Sequence, residues 1–288
     1  MRLNAYVLAA DPTWIQASVR SYYDLVDTLV VCFDRHGRGW TGAEIPVQEC
    51  VARVKEIDHA GKIRYLEGDF ARPDHSPMEN DTYQRQQALD AASEGADWVL
   101  SIDSDELIPQ PEFFRDLLRD VPASYQGVLW PMRILFQTLP DGRYLEVCTR
   151  RLRRQVSEYP GPIAVRPGVK LTQARRAEIP FFHCEVRRSP LDWLRPKRAG
   201  QAAIPAAAAI WHFTWVRGEA ELRTKLSSWS HSQDFQTEEY LQNVWRAAPT
   251  RWKEIQDFHP IYRGLWPALR PAEAPTFLRN LVRASQSP

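Results

Sequence analysis

The sequence predicts an α/β protein, a mixed and mostly parallel sheet flanked by helices, with a helical extension at its C-terminus. Three observations predict it. Short apolar runs alternate with helix-like stretches through the first part of the chain, the order that winds a parallel sheet through right-handed crossovers. These runs end in acids, at Asp11, Asp34 and Asp103/Asp105, and ligands of such sheets gather at the carboxyl ends of the strands. From residue 236 onward the chain is rich in tryptophan, and its helical pieces are interrupted at Pro249, Pro260, Pro267 and Pro271.

Leu3 to Ala9 is an apolar strand. Asp11-Pro12 then reads as a helix cap with proline in the first turn. Thr13 to Val26 carries Trp14, Ala17, Val19, Tyr22, Leu25 and Val26 at helical spacing. Thr28 to Phe33 is a β-branched strand ending at Asp34, and the glycine-broken segment from Arg35 to Gly42 is a loop. Pro46 to Ile57 is a helix, Ile63 to Leu66 a strand, and Asn80-Asp81 opens a helix that Gly95 stops. Trp98 to Ile102 is the fourth strand. Pro111 to Asp120 is helical, and Gly127 to Phe136 and Tyr144 to Leu152 form a hairpin across Pro140-Asp141-Gly142. Pro160 to Phe182 reads as loops with short strands, and Gln201 to Ala209 as an alanine-rich loop. Ile210 to Trp215 is a strand, and Gly218 to Ser230 is helical.

Composition bounds the function. The 44% hydrophobic and 25% charged content is ordinary for a soluble globular chain of 288 residues. No apolar run approaches the roughly 20 residues of a membrane span, and Tyr6 to Ala10 is too short for a signal-peptide core. Cys32, Cys50, Cys148 and Cys184 show no CxxC spacing, so reduced thiols and a cytoplasmic protein are expected. Eleven tryptophans either fill cores or present faces to sugars and bases. The net charge of +1 conceals an asymmetry. Residues 1–142 hold 13 Lys/Arg against 23 Asp/Glu, and residues 143–198 hold 14 against 5. Such a basic segment either meets an anionic partner or offsets the acidic first half from within.

The motif with the most chemistry is Asp103-Ser104-Asp105-Glu106. Residues two apart in extended chain project to one side, so Asp103 and Asp105 can converge beyond the strand end. Carboxylates held close repel unless a cation or protons lie between them. A hard divalent ion, Mg²⁺ or Mn²⁺, is the natural occupant, and it keeps positions open for a phosphate-bearing substrate.

Strand, Asp34 loop, a helix bearing Arg85-Gln86 and then WVLSIDSDE together resemble a GT-A (Rossmann-like) glycosyltransferase of the family 2 type. Trp211-His212-Phe213-Thr214-Trp215, followed by Lys225-Leu226-Ser227-Ser228-Trp229-Ser230-His231, resembles a C-terminal block of the bisecting N-acetylglucosaminyltransferase family, family 17. The resemblance spans roughly residues 3–136 and 210–235, and the region between has no counterpart. It implies a glycosyltransferase domain over 1–235, with a donor half to about 136 and an acceptor half beyond it, followed by the 236–288 extension.

The resemblance implies a metal-dependent transfer of sugar from a nucleoside diphosphate sugar, a UDP-sugar by preference, to an acceptor hydroxyl. Asp103 would meet the ribose or the metal, Asp105 the metal, and His212 would complete the coordination. Lys225 would meet the diphosphate, and Asp34 and Ala9 to Asp11 the nucleoside. Arg85 and Gln86 would contact the donor, though Arg85 with Asp81 is also a simple i, i+4 surface pair. Glu185 is the candidate general base if the anomeric centre inverts, with Glu146 the other option and His231 a weaker site residue. The acceptor is a glycan, a lipid-linked glycan or, if residues 143–198 contact phosphates, modified DNA. Two other readings compete. A nucleotidyltransferase shares the sheet and metal logic, but would carry a Gly-rich, basic loop where Ala9-Ala10-Asp11-Pro12 stands. A non-catalytic glycan- or nucleic-acid-binding module would not need both acids.

Overall fold

The computed structural model describes residues 1–150, 155–189, 192, 194, 199–274, 276, 278 and 281. The first half alternates as the sequence predicts: β1 (Leu3–Leu8), α1 (Pro12–Tyr22), β2 (Thr28–Asp34), α2 (Val47–Lys55), β3 (Ile63–Gly68), α3 (Pro77–Ala92) and β4 (Trp98–Ser101). Then come β5 (Glu106–Leu107), α4 (Pro111–Asp120), β6 (Gly127–Thr138), β7 (Tyr144–Cys148), β8 (Glu158–Val165), β9 (Phe181–Arg187), β10 (Gln201–Pro205), β11 (Ile210–His212), α5 (Glu219–Ser228) and β12 (Ala268–Ala272). The main sheet runs β10-β9-β6-β8-β4-β1-β2-β3. β3, β2, β1 and β4 are mutually parallel, and β8 enters antiparallel between β4 and β6. This is the mixed α/β sheet, flanked by helices, that the alternation predicts.

Every residue of β1 is buried, as is expected of a strand covered on both faces. Trp98, Trp130 and Trp211 are each about 1% exposed, so most of the described tryptophans fill the core. α3 departs from the expected start. It begins at Pro77 under a capping box, with Ser76 and Glu79 bonding each other's backbone. Its inner face is polar, with Asn80, Asp81, Gln84 and Arg85 all buried, which leaves little apolar periodicity to mark its beginning. The segment Gln201–Pro205, expected as a loop, is a strand parallel to β9.

Two pairings set up the site. β11 lies parallel to β6 and antiparallel to β5, with Trp211 opposite Leu107 and His212 opposite Glu106. That register carries His212 to the end of β4, far from it in sequence. The C-terminal part is helical in short pieces as far as Arg251, β12 then returns to pair with β7, and the described residues Thr276, Leu278 and Leu281 are helical again. Aromatic packing draws it in: the Phe136 ring lies 5.0 Å from Phe258 and 6.0 Å from Trp266. No helix among the described residues is long and apolar enough to cross a membrane.

Candidate active site

The segment from Asp103 to Glu106 is a tight turn fastened from several sides. Glu106 N donates to the Asp103 carbonyl at 3.0 Å, and Asp103 N donates to Glu106 Oε2 at 3.0 Å. Ser18 of α1 donates to the carbonyls of Glu106 at 2.7 Å and Asp103 at 3.1 Å. The two aspartates are thereby aimed along different partners. Asp103 Oδ1 accepts from Arg85 at 2.7 Å, and its Oδ2 lies 3.5 Å from Arg175. Asp105 Oδ2 accepts from Lys225 at 2.6 Å and from Arg217 at 2.9 Å, and its Oδ1 lies 3.2 Å from His212 Nε2.

These cations decide the ionisation. Burial opposes charge on Asp103, but Arg175 and Arg85 hold its carboxyl down at about 2. Burial likewise opposes charge on Asp105, and Lys225, His212 and Arg217 outweigh it, keeping the carboxyl well below the usual range. On Lys225, burial and then the neighbouring Arg217 lower the ammonium pKa, against the pull of Asp105. Asp81 is raised by burial, with Arg85 working in the opposite direction. Both carboxylates of the motif therefore stand ionised at neutral pH.

A cleft of about 200 Å³ opens over this turn, lined among others by Ala9, Asp11, Trp40, Asp105, His212 and Trp229. Asp81, Arg85, Asp103 and Lys225 also face it. That volume is below the usual range for ligand pockets. One wall is the loop after β2. Its Gly39 packs so closely on α5 that an added Cβ would stand 2.5 Å from Ser228 Cβ. Thr41 Oγ1 donates to the Ser227 carbonyl at 2.8 Å, and Trp40 Nε1 donates to Gln84 Oε1 at 2.7 Å.

The structure thus gathers Ala9, Asp11, Arg85, Asp103, Asp105, His212 and Lys225 at one cleft. Asp11 is both the α1 cap, accepting from Thr13 N at 3.0 Å, and the partner of Arg217. The Arg85–Asp81 pair exists, at 2.6 Å, but both residues are buried rather than on a surface. Other candidates lie elsewhere. Asp34 spends its carboxylate on the backbone N–H groups of His36, Arg38, Phe70 and Ala71, at 2.8–3.2 Å, which ties two loops together. Gln86 points to the other side of α3, where it accepts from Leu171 N at 2.8 Å and docks the loop after β8. Glu185 is exposed on β9 and accepts from Gln201 at 3.0 Å, outside the cleft lining. Glu146 is fully buried between Arg133 and Arg270. His231 pairs with Asp234 at 2.5 Å and packs edge-on against Trp229.

Sequence reasoning missed Arg175, Arg217, Trp40 and Trp229. Arg175 comes from the basic middle segment, on a turn where Ala174 has φ of 48°, a left-handed conformation uncommon for alanine. It meets Glu106 bidentately at 2.6 and 2.8 Å, and donates to the Ser101 carbonyl at 2.9 Å. Nothing in its sequence neighbourhood distinguishes it from the other arginines nearby. Arg217 carried a fainter signal, as the one charged residue between an apolar strand and the start of α5.

Among the described residues no three His, Cys, Asp or Glu side chains converge as a complete metal-ligand set. A substrate-assisted site needs fewer, because such ions often take one or two protein carboxylates and fill the remainder with phosphate and water. Two ligands adjacent on an octahedral ion, each about 2.1 Å from it, are separated by about 3 Å. The 3.2 Å between Asp105 Oδ1 and His212 Nε2 is a hydrogen-bond distance, His212 donating to the carboxylate, and it also leaves the two atoms at about that spacing. His212 Nδ1 is buried without a hydrogen-bond partner among the described residues, and Glu106 Oε1 lies 3.8 Å from it. A carboxylate hydrogen-bonded to the second ring nitrogen is the usual support for a metal-bound histidine, and at 3.8 Å Glu106 lies just beyond that reach. Asp105 and His212 therefore fit a divalent ion as a pair, with Asp103 beside them held by Arg85.

No family model matches the chain, and no curated protein does. Among solved structures, the chain is similar to S. aureus TarS 1–349 at 13% identity, over 88% of this chain and 78% of that one, with a TM-score of 0.40. It is also similar to CMP:2-keto-3-deoxy-manno-octonic acid synthetase complexed with CTP, at 16% identity over 58% of this chain and 74% of that one, TM-score 0.35. A third similarity is to 4-diphosphocytidyl-2C-methyl-D-erythritol synthase, at 11% identity over 58% and 74% of the two chains, TM-score 0.33.

Proposed function

We propose that this chain is a metal-dependent glycosyltransferase that moves a sugar from a nucleoside diphosphate sugar, preferably a UDP-sugar, to an acceptor hydroxyl on a glycan. The observation that carries the reading is the Asp105–His212 pair, spaced for one divalent ion, beside Asp103 and Lys225 at the carboxyl end of β4. Bound there, Mn²⁺ or Mg²⁺ would supply Lewis-acid stabilisation of the charge that builds on the departing diphosphate.

The chain's own residues divide the remaining work. Arg217 is fully buried and holds Asp11 and Asp105 in place rather than reaching substrate. Arg85, anchored by Asp81, holds Asp103 so that the part of its carboxylate left exposed can accept from a ribose hydroxyl. Trp40 and Trp229 give the cleft flat aromatic walls suited to a base or a sugar face. A nucleotidyltransferase is less well served, because Asp11 and Pro12 begin α1 where such an enzyme would need a basic phosphate-binding loop.

The test is thermal stabilisation and calorimetric binding of UDP-, GDP- and dTDP-sugars with and without Mn²⁺. At least one donor should bind in a Mn²⁺-dependent manner, and His212→Gln should lose that dependence. If no donor binds with Mn²⁺ present, the proposal is wrong.

A further inference from the structure

We infer that Lys225 is an exchangeable counter-ion: it holds Asp105 while the metal is absent, yields to a divalent cation, and passes to the diphosphate of the donor. Metal and nucleotide would then bind as a coupled pair. This rests on the metal-and-diphosphate reading given above and adds an order of events to it.

Two cations share Asp105 Oδ2, Lys225 Nζ at 2.6 Å and Arg217 Nη2 at 2.9 Å. They are not equivalent. The Arg217 side chain is 0% exposed, and it also donates to Asp11 and to the Phe213 carbonyl. Displacing it would strand Asp11 and break several bonds in the interior at once. The Lys225 side chain is 22% exposed and lines the cleft, and its other bond is to the Thr214 carbonyl at 2.9 Å. It hangs from α5 on a flexible four-carbon stem. Of the two, Lys225 is the one free to swing.

It also has reason to move. A dication on Asp105 Oδ1 and His212 would sit within one carboxylate's width of the ammonium on Oδ2. Like charges that close in a buried site repel strongly. A diphosphate entering the cleft offers the ammonium a new anionic partner, while Arg217 keeps Asp105 in position. Whichever ligand arrives first therefore bears the cost of releasing Lys225, and the second binds more easily. By linkage the enhancement is reciprocal.

The experiment titrates Mn²⁺ into the full chain, reading free Mn²⁺ by electron paramagnetic resonance, alone and with UDP, GDP or dTDP. Wild type is compared with Lys225→Met, Lys225→Gln and Lys225→Arg, with His212→Gln as the metal-site control and circular dichroism confirming each fold. Lys225→Met and Lys225→Gln should bind Mn²⁺ alone at least tenfold more tightly than wild type. In both, the enhancement of Mn²⁺ binding by nucleotide should shrink at least tenfold, whereas Lys225→Arg should keep wild-type behaviour. Unchanged or weaker binding of Mn²⁺ alone to the neutral variants overturns the exchange. If nucleotide still promotes His212-dependent Mn²⁺ uptake by wild type in that case, the donor reading survives it. No Mn²⁺ uptake by wild type with any of the three nucleotides overturns both.

Discussion

Arg175→Met should destabilise the metal-free protein by about 3–5 kcal/mol, the usual cost of removing one partner from a buried ion pair. Glu106 is 0% exposed and accepts both guanidinium bonds of Arg175, at 2.6 and 2.8 Å. Without them its carboxylate keeps the Asp103 amide, at 3.0 Å, and the distant His212 Nδ1. Glu106→Gln should cost less, about 1–2 kcal/mol, because Arg175 retains the Ser101 carbonyl at 2.9 Å and Asp103 at 3.5 Å. The double variant should be milder than the sum of the two, with a coupling of about 2 kcal/mol, because it removes both buried charges together. Urea denaturation of the four proteins at pH 7 measures the cycle. A loss below about 1 kcal/mol for Arg175→Met, or strict additivity, would refute the view that the middle segment supplies the charge balance of the motif.

Other outcomes follow from the same geometry. Asp105→Ala should abolish Mn²⁺-dependent donor binding and also cost about 3–5 kcal/mol, since Arg217 and Lys225 would lose the buried carboxylate they share; chemical denaturation reads the second part. His212→Gln separates the two effects: Asp105 keeps Lys225 and Arg217, so stability should change by less than about 1 kcal/mol while Mn²⁺ affinity falls at least tenfold in calorimetry. Gly39→Ala should cost about 1–3 kcal/mol and weaken nucleotide binding, because its Cβ would stand 2.5 Å from Ser228 Cβ and push the Trp40 loop off α5. Burial, then the charge of His231, depresses the His259 imidazole from 6.5 to about 4. The unfolded chain therefore takes up this proton first, and stability is lost as pH falls from 6.5 towards 4. After allowance for its partial exposure the loss is about 1–2 kcal/mol. His259→Gln should flatten that part of the pH–stability curve.

The sheet was legible because strand pattern and strand end agreed. Leu3–Leu8, Thr28–Asp34 and Trp98–Ser101 are runs whose burial on both faces writes itself as continuous apolar sequence. The acids at the ends of the first and fourth strands line one cleft with His212 and Lys225 from far downstream, although Asp103 and Asp105 are aimed at different partners. Asp34 looked the same in sequence as the others, yet its carboxylate is consumed by four backbone amides. Half of that engagement is local, from His36 and Arg38, and the other half comes from residues 70 and 71, whose positions the sequence around Asp34 does not reveal. Gln86 was misjudged by direction around a helix, where its neighbour Arg85 faces the cleft and it does not. Arg175 was illegible for the opposite reason, because a long-range contact singles out one arginine among many.

The basic middle segment can now be apportioned. Arg175 neutralises Glu106, Arg166 donates to the Tyr125 carbonyl and lies 4.2 Å over the Trp98 ring, and Arg188 pairs with Glu158. Lys170 reaches Asp90 at 3.6 Å, and Arg150 donates to the Pro267 carbonyl at 3.0 Å. Several of these contacts cross from the basic segment to the acidic first half, and Arg175 reaches the motif itself. At Arg175 and Arg166 the charge excess that looks in sequence like an invitation to an anionic partner turns inward, whereas Lys170, Arg150 and Arg188 stay at the surface. The consequence for the site is direct. Carboxylates this close repel one another, and arginines from distant segments offset that repulsion. Arg85 and Arg217 are buried, Arg175 is 12% exposed, and all three are multiply bonded, whereas Lys225 is 22% exposed and faces the cleft. The division between permanent and removable counter-ions follows from that difference in burial.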